Sequence, residues 1–113
     1  MITIDAQGKT LGRVASAAAK ALLGKHAADF AKNVIAPGEV KIINASKVKI
    51  SGNKEKAKKY VRYSGHPGGI KYESYEMLSA RRGHKEVVYR AVHGMLPKNR
   101  LQDRRIKLLT IEE

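Results

Sequence analysis

Residues 10–24 read TLGRVASAAAKALLG, and this stretch decides the first half of the fold. Its apolar residues recur three and four positions apart, as on the buried face of an amphipathic helix. Thr10 is placed to cap the start of the helix, and Gly24 can supply the left-handed residue that ends it. A short strand at 2–5 and a strand rich in β-branched residues at 39–44 flank the helix. Such a βαβ unit favours a right-handed crossover between parallel strands, so the sequence predicts an α/β fold.

The second half of the chain predicts a hairpin followed by helices. Two extended arms, 58–64 and 70–72, flank a loop rich in glycine. A helical pattern then runs from residue 74 to Gly83, where glycine predicts the end of the helix. A second helical pattern follows Gly83. Pro97 suits the first turn of a further short helix, and residues 106–111 can close the chain as a strand or as a helix.

The composition indicates one domain without disulfides. A chain of 113 residues with 42% apolar residues can bury one core, and the absence of Cys excludes disulfides and thiolate metal sites. No apolar run is long enough for a membrane span and the first residues do not read as a targeting signal, so we expect a cytoplasmic protein. We expect a single domain over residues 1–113, a three-layer α/β/α arrangement with a mostly parallel central sheet and basic extended loops.

The formal net charge of +13 comes from two segments. Residues 46–62 hold seven basic residues and one acidic residue, and residues 81–107 hold nine basic and two acidic residues. Concentrated positive charge repels itself, and a polyanionic partner that releases counterions is the usual reason to retain it. Nucleic acid is therefore the first hypothesis for the partner, although basic residues also serve as a solvated face.

The sequence gives no support for catalysis or for a bound metal. Gly8-Lys9-Thr10 is similar to part of a P-loop, but that motif requires glycine at position 3, where Thr3 stands. The four histidines lack a metal-ligand spacing, and the acidic residues are scattered. We therefore expect no catalytic residue, no metal and no cofactor.

The glycine loop and its arms suit contact with RNA. Basic residues approach the loop, and three tyrosines flank it, so phosphate neutralisation can combine with base stacking. Alternation along the strand places Tyr60 and Tyr63 on opposite faces, and we expect Tyr63 to be the more buried of the two. The glycines can bring the backbone close to phosphate or ribose, or they can simply form a turn.

Four motifs occur in order: DAQGKTLGR at 5–13, IINA at 42–45, YVRYSGHPGG at 60–69 and GMLPKNRL at 94–101. Together they resemble ribosomal protein thirteen of the large subunit, the L-thirteen family. The resemblance implies a structural, non-catalytic protein that binds 23S-type large-subunit rRNA, joins assembly early and lies beside other ribosomal proteins. It implies no cofactor, no membrane and no small-molecule substrate.

The resemblance also implies RNA contacts, residue by residue. The positions that match the motifs are Lys9, Arg13, Arg62, Ser64, Gly65, Gly68, Gly69, Lys98, Asn99 and Arg100. The charge pattern adds Lys54, Lys56, Lys58, Lys59, His66, Lys71, Arg104 and Arg105. Tyr63 stands where the family has histidine, Gln102 where it has glycine, and both ends are shorter than is usual, so we expect a reduced and divergent version.

Two other functions fit part of the sequence. A free RNA- or DNA-binding regulator would share the charge pattern and should bind duplex DNA as well as rRNA. A small nucleotide-dependent enzyme would require ATP or GTP binding that weakens in Lys9→Ala.

Overall fold

The computed structural model describes residues 2–25, 28, 31, 33–35, 38–50, 52 and 57–113. The strands are β1 (Ile2–Asp5), β2 (Val40–Ile43), β3 (Lys59–Tyr63), β4 (Ile70–Ser74) and β5 (Leu109–Ile111). The helices are α1 (Leu11–Leu23), α2 (Tyr75–Met95) and α3 (Gln102–Ile106), and a 3₁₀ turn occupies Ala45–Lys47.

A parallel sheet forms the centre of the fold, with strand order β1-β2-β5. Val40 pairs with Ile2 on one side and with Leu109 on the other, so β2 is the middle strand. Val40 and Ile42 are buried, as expected for a parallel strand covered by helices. The α/β prediction is confirmed. Strands β3 and β4 form a separate antiparallel hairpin.

Helix α1 follows the predicted pattern closely. Thr10 is its N-cap in extended conformation, but its side chain makes no capping hydrogen bond. Gly24 ends the helix with a φ of 78°, and its N–H donates to the carbonyls of Lys20 and Ala21. The buried face carries mostly small residues, Val14, Ala15, Ala18, Ala19 and Leu22. Because these side chains are short, α1 can pack closely against both the sheet and α2.

Helix α2 is interrupted at Gly83, as the sequence predicts. Gly83 has a φ of 80° and a ψ of 173°, a region open almost only to glycine. Beyond this break a carboxylate oxygen of Glu113 accepts a hydrogen bond from the Lys85 N–H at 3.0 Å. The side chain of Glu113 therefore occupies the start of the second half of α2.

The core is continuous between two clusters of buried side chains. The larger cluster joins α1, the sheet and the second half of α2, and the smaller one comprises Tyr75, Leu78 and Val87. Leu11 and Ile50 pack against both clusters. The base of the hairpin is therefore attached to the same core as the sheet.

The short helix after Pro97 begins later than predicted. Leu96 is buried in an extended conformation at the end of α2. The Asn99 side-chain carbonyl then accepts the Leu101 N–H at 3.0 Å, which forms a turn, and α3 starts only at Gln102. This local side-chain bond replaces the first helical turn.

Candidate nucleic-acid interface

The first group of cations surrounds the start of α1. The Lys49 N–H donates to the Lys9 carbonyl at 2.8 Å, and the Leu11 N–H donates to the Lys49 carbonyl at 3.2 Å. This parallel contact places segment 47–49 beside the residue that precedes the helix. The side chains of Lys9, Arg13, Lys47 and Lys49 are all exposed. We call these four residues the helix-start cluster.

Lys47 and Lys49 were not among the predicted contacts. They lie inside the basic segment 46–62, so their charge was visible in the sequence, but nothing local showed that they would meet Lys9. The pairing between residues 9–11 and 49 is a tertiary contact. Long-range backbone pairing is the information that a charge count lacks.

Asp5 lies beside the helix-start cluster as a fixed negative charge. Its carboxylate accepts hydrogen bonds from the Asn44 side chain at 3.0 Å and from the Gln7 N–H at 2.9 Å. The Asn44 bond, the Gln7 bond and the charges of Lys9 and Lys47 lower the pKa of Asp5. Asp5 therefore remains ionised, and the net charge of this group with Asp5 included is +3, from four cations and one carboxylate.

The hairpin presents two different faces. Arg62 stands opposite Lys71, and Tyr60 stands opposite Glu73 on the same face. Arg62 and Lys71 are exposed. We call the face with Arg62 and Lys71 the cationic face of the hairpin.

The other face of the hairpin is apolar and exposed. Val61 stands opposite Tyr72, and Tyr63 stands opposite Ile70. Their exposed fractions are 60% for Val61, 62% for Tyr63, 50% for Ile70 and 63% for Tyr72. We call these four residues the tyrosine face. The expectation that Tyr63 would be more buried than Tyr60 is wrong, because Tyr60 is only partly exposed.

Among the tyrosines of the hairpin, Tyr60 is the one that packs against the core. It packs against the cluster that contains Tyr75 and Leu78, and partial burial raises the pKa of its hydroxyl. The Lys58 ammonium lies 5.5 Å and the Arg90 guanidinium 5.3 Å from the centre of its ring, both within cation–π range. Alternation correctly separates the two faces, but the core lies under the face with Tyr60.

The glycine loop is a tight turn at the tip of the hairpin. Gly65 and Gly68 have φ values of 84° and 76°, which other residues adopt only with strain. A side chain at Gly69 would meet the hydroxyl of Ser64 and would lie 2.9 Å from the His66 carbonyl. The turn itself therefore explains all three glycines. Ser64, Gly65, His66 and Gly68 are exposed, and contact of this loop with RNA stays a prediction.

The segment 97–100 is exposed next to the end of α2. It presents the side chains of Lys98 and Arg100, and the Asn99 carbonyl oxygen is used in the turn described above. The expected helix N-terminus at this point does not form, because α3 begins at Gln102. Lys98 and Arg100 therefore lie on a turn and not at a helix N-terminus.

Arg105 is the predicted contact that the structure places inside the protein. Its side chain is 1% exposed, and its guanidinium donates to the Val34 carbonyl at 3.4 Å. Arg104, the preceding residue on α3, is exposed. The prediction that Arg105 lies on the RNA-binding surface is therefore wrong, because a buried guanidinium cannot reach a phosphate.

The exposed cations of this surface form no ion pair within the described part of the chain. Among the described residues, ion pairs join Lys41 to Glu112, Arg81 to Glu73 and Arg90 to Glu86. The Arg81 and Glu73 pair is bidentate, with both distances 2.8 Å. None of these pairs includes a residue of the helix-start cluster, of 58–71 or of 97–104. The remaining predicted contacts Lys58, Lys59 and Lys71 are exposed, whereas Lys54 and Lys56 lie outside the described residues.

Two features are absent from the described part of the chain. No helix there is long and apolar enough to cross a membrane. No group of three or more His, Asp or Glu side chains there could hold a metal ion.

Comparison with known proteins identifies one family. The family described as Ribosomal protein L13 matches residues 1–111. The chain is 47% identical over 108 residues to the large ribosomal subunit protein uL13 of Pelotomaculum thermopropionicum, which covers 96% of this chain and 74% of that protein. It is 46% identical to the protein of the same name from a Thermoanaerobacter species and 44% identical to that from a Psychrobacter species, each match covering 96% of this chain and 75% of the relative.

Proposed function

Since the chain belongs to the ribosomal protein L13 family and is thereby a structural, non-enzymatic constituent of the large ribosomal subunit, we propose that its exposed cations bind the rRNA of that subunit. We also propose that it binds early in subunit assembly, in the cytoplasm, beside other large-subunit proteins. Family membership overturns the alternative of a nucleotide-dependent enzyme.

One observation carries the proposal: within the described part of the chain, the exposed cations of the helix-start cluster, the hairpin and segment 97–104 form no ion pair with a carboxylate. A cation that is already paired would have to break its ion pair before it could bind a phosphate. The unpaired cations can neutralise phosphates directly, and the counterions released from RNA then drive binding. Such contacts fix the position of the protein on the RNA.

The exposed cations lie on separate elements that the fold holds rigidly, and this supports contact with more than one RNA segment. The helix-start cluster is fixed by backbone hydrogen bonds, and the hairpin is anchored through Tyr60 and Tyr75, since the Tyr75 N–H donates to the Lys58 carbonyl at 3.1 Å. Rigid placement limits the entropy lost on binding. The protein would act as a clamp that holds RNA segments in their folded arrangement, and this suits a role in early assembly.

Salt dependence of binding to a bacterial 23S rRNA transcript tests the proposal. Neutralising about six to ten phosphates should lower the affinity by about three to five orders of magnitude between about 50 and 200 mM salt, by analogy with duplex DNA. Affinity that hardly changes with salt would contradict the proposal. Competition between duplex DNA and the rRNA transcript distinguishes this proposal from a free nucleic-acid-binding regulator, which should bind the two ligands equally well.

Matched double variants locate the binding surface. Lys9→Ala with Arg13→Ala, and Lys98→Ala with Arg100→Ala, should each reduce the slope of log affinity against log salt by about 1.4–1.8. Lys20→Ala with Lys25→Ala is the control, because it removes the same charge from the opposite end of α1. If the control variant lowers the salt slope as much as the two test variants do, net charge alone determines binding.

Incorporation into ribosomes tests the assembly role. The wild-type chain should sediment with large subunits, leave them at high salt and occur in the earliest precursor particles. The Lys98 and Arg100 double variant should fold normally but incorporate poorly, since exposed substitutions cost little stability. Normal incorporation of that variant would remove segment 97–100 from the proposed surface.

A further inference from the structure

The tyrosine face is a large apolar surface that no element of the described structure covers. Its four side chains are each half exposed or more, whereas cores normally enclose such residues. Within the described part of the chain, the side chains of Tyr63 and Tyr72 take part in no hydrogen bond, ring pair or cation–π contact. Tyr60 and Tyr75, in contrast, pack into the core. The rings of Tyr63 and Tyr72 are therefore available to a partner.

The geometry of the hairpin places these two rings side by side. Tyr63 stands opposite Ile70, and Tyr72 is two residues further along the same strand, so the tyrosines are diagonal neighbours on one face. Diagonal neighbours lie about 7–8 Å apart. Val61 and Ile70 stand opposite the tyrosines and complete the face.

The charge around this face favours a polyanion over an apolar protein. Residues 57–72 contain Lys58, Lys59, Arg62 and Lys71 and no acidic residue. Lys59 lies on the same face as Tyr63, two residues before Val61, and is exposed. Aromatic rings interleaved with cations are typical of surfaces that bind unpaired nucleotides, because bases stack on the rings while cations neutralise phosphates.

We propose that Tyr63 and Tyr72 form a stacking platform for unpaired bases of RNA, with Lys59 beside it for the phosphates. This inference rests on the proposed function and names what the tyrosine face binds: a single-stranded or looped segment. The cationic face of the hairpin, with Arg62 and Lys71, would contact the backbone of neighbouring RNA. The two faces thus make contributions of different kinds, stacking on one side and charge on the other.

Tyrosine variants separate these contributions when affinity for the 23S rRNA transcript is measured against salt. Tyr63→Ala and Tyr72→Ala should each weaken binding about tenfold and leave the salt slope unchanged. Tyr63→Phe and Tyr72→Phe keep the rings and should bind within about twofold of wild type. Arg62→Ala with Lys71→Ala should instead lower the slope, and Tyr89→Ala, which removes a partly exposed tyrosine from α2, should change neither quantity.

A fluorescent reporter gives a direct measurement of stacking. The chain contains no Trp, so Tyr72→Trp introduces a single indole, whose emission should be quenched when the transcript binds. Tyr89→Trp is the matched control and should not be quenched.

The possible failures are distinguishable. A wild-type chain that does not bind the transcript at all would refute the proposed function as well. Wild-type binding with alanine variants of equal affinity would refute the stacking platform alone. Equal loss in the Phe and Ala variants would also refute it, because the hydroxyls would then make the contact. If the Tyr63→Ala and Tyr72→Ala variants keep the RNA affinity of wild type but fail to enter large subunits, the stacking platform is refuted and the tyrosine face binds a protein.

Discussion

Replacement of Gly83 by Ala should destabilise the fold by about 2 kcal/mol, although it adds a good helix former within a helical stretch. The backbone at Gly83 lies in a region that costs other residues about 1–3 kcal/mol. The new methyl group would also meet the carboxylate of Glu113 and displace it from the Lys85 N–H. Loss of that capping bond costs about 0.5–1 kcal/mol. Alanine also lowers the conformational entropy of the unfolded chain, and this recovers about 0.4–1 kcal/mol of the lost stability.

Thermal unfolding followed by circular dichroism measures this loss. An unfolding entropy of about 2.1 cal/mol/K per residue gives about 0.24 kcal/mol/K for the chain, so 2 kcal/mol lowers Tm by about 8 °C. Gly94→Ala is the control, because Gly94 lies in the same helix with open space around it and without a positive φ. That substitution should leave the stability unchanged or raise it slightly.

A double-mutant cycle with Glu113 tests the cause. Glu113→Ala alone should cost about 0.5–1 kcal/mol through the lost cap. The double variant should be about as stable as Gly83→Ala, because the methyl group has already displaced the carboxylate. Strict additivity of the two changes, or a Gly83→Ala variant as stable as wild type, would refute this reasoning.

Three further predictions concern stability and its separation from RNA binding. The hydrogen bond from Arg81 lowers the pKa of Glu73, so this pair stabilises the fold at pH values above the ordinary pKa of a glutamate. The stabilisation disappears as the pH falls through the lower pKa of Glu73 in the folded protein. The Tm difference between wild type and Arg81→Gln should therefore vanish in acid, and a difference that stays constant with pH would contradict this prediction. Leu78→Ala should cost about 2–5 kcal/mol in denaturant unfolding, because the side chain is fully buried, and a loss below about 1 kcal/mol would argue against that packing. Arg105→Ala should cost about 2 kcal/mol or more, whereas Arg104→Ala should weaken rRNA binding without changing Tm; the reverse pattern would place Arg105 on the surface.

Features set by local sequence were predicted well. The start and end of α1, the break at Gly83 and the two arms of the hairpin depend on short-range periodicity and on glycine conformations that neighbouring residues reveal. The four motifs also identified the family correctly, because their order along the chain is far more specific than any one of them.

Features set by tertiary contact were not predicted. Alternation along β3 shows that Tyr60 and Tyr63 lie on opposite faces, but which face meets the core depends on Tyr75 and Leu78 beyond the hairpin. A charge count also treats Arg104 and Arg105 alike, although only one of them turns into the protein. The pairing of Lys9 with Lys49 likewise depends on how the chain returns to the start of α1.

The position of β2 between two distant parallel partners constrains when the sheet can form. β1 precedes β2 by more than thirty residues and β5 follows it by more than sixty, so neither pairing is local in sequence. Contacts of such long sequence separation make folding slow, since the loop entropy is lost before the pairing stabilises anything. During synthesis β2 can pair with its second neighbour only after residues 109–111 have been translated, so the three-stranded sheet stays incomplete until then.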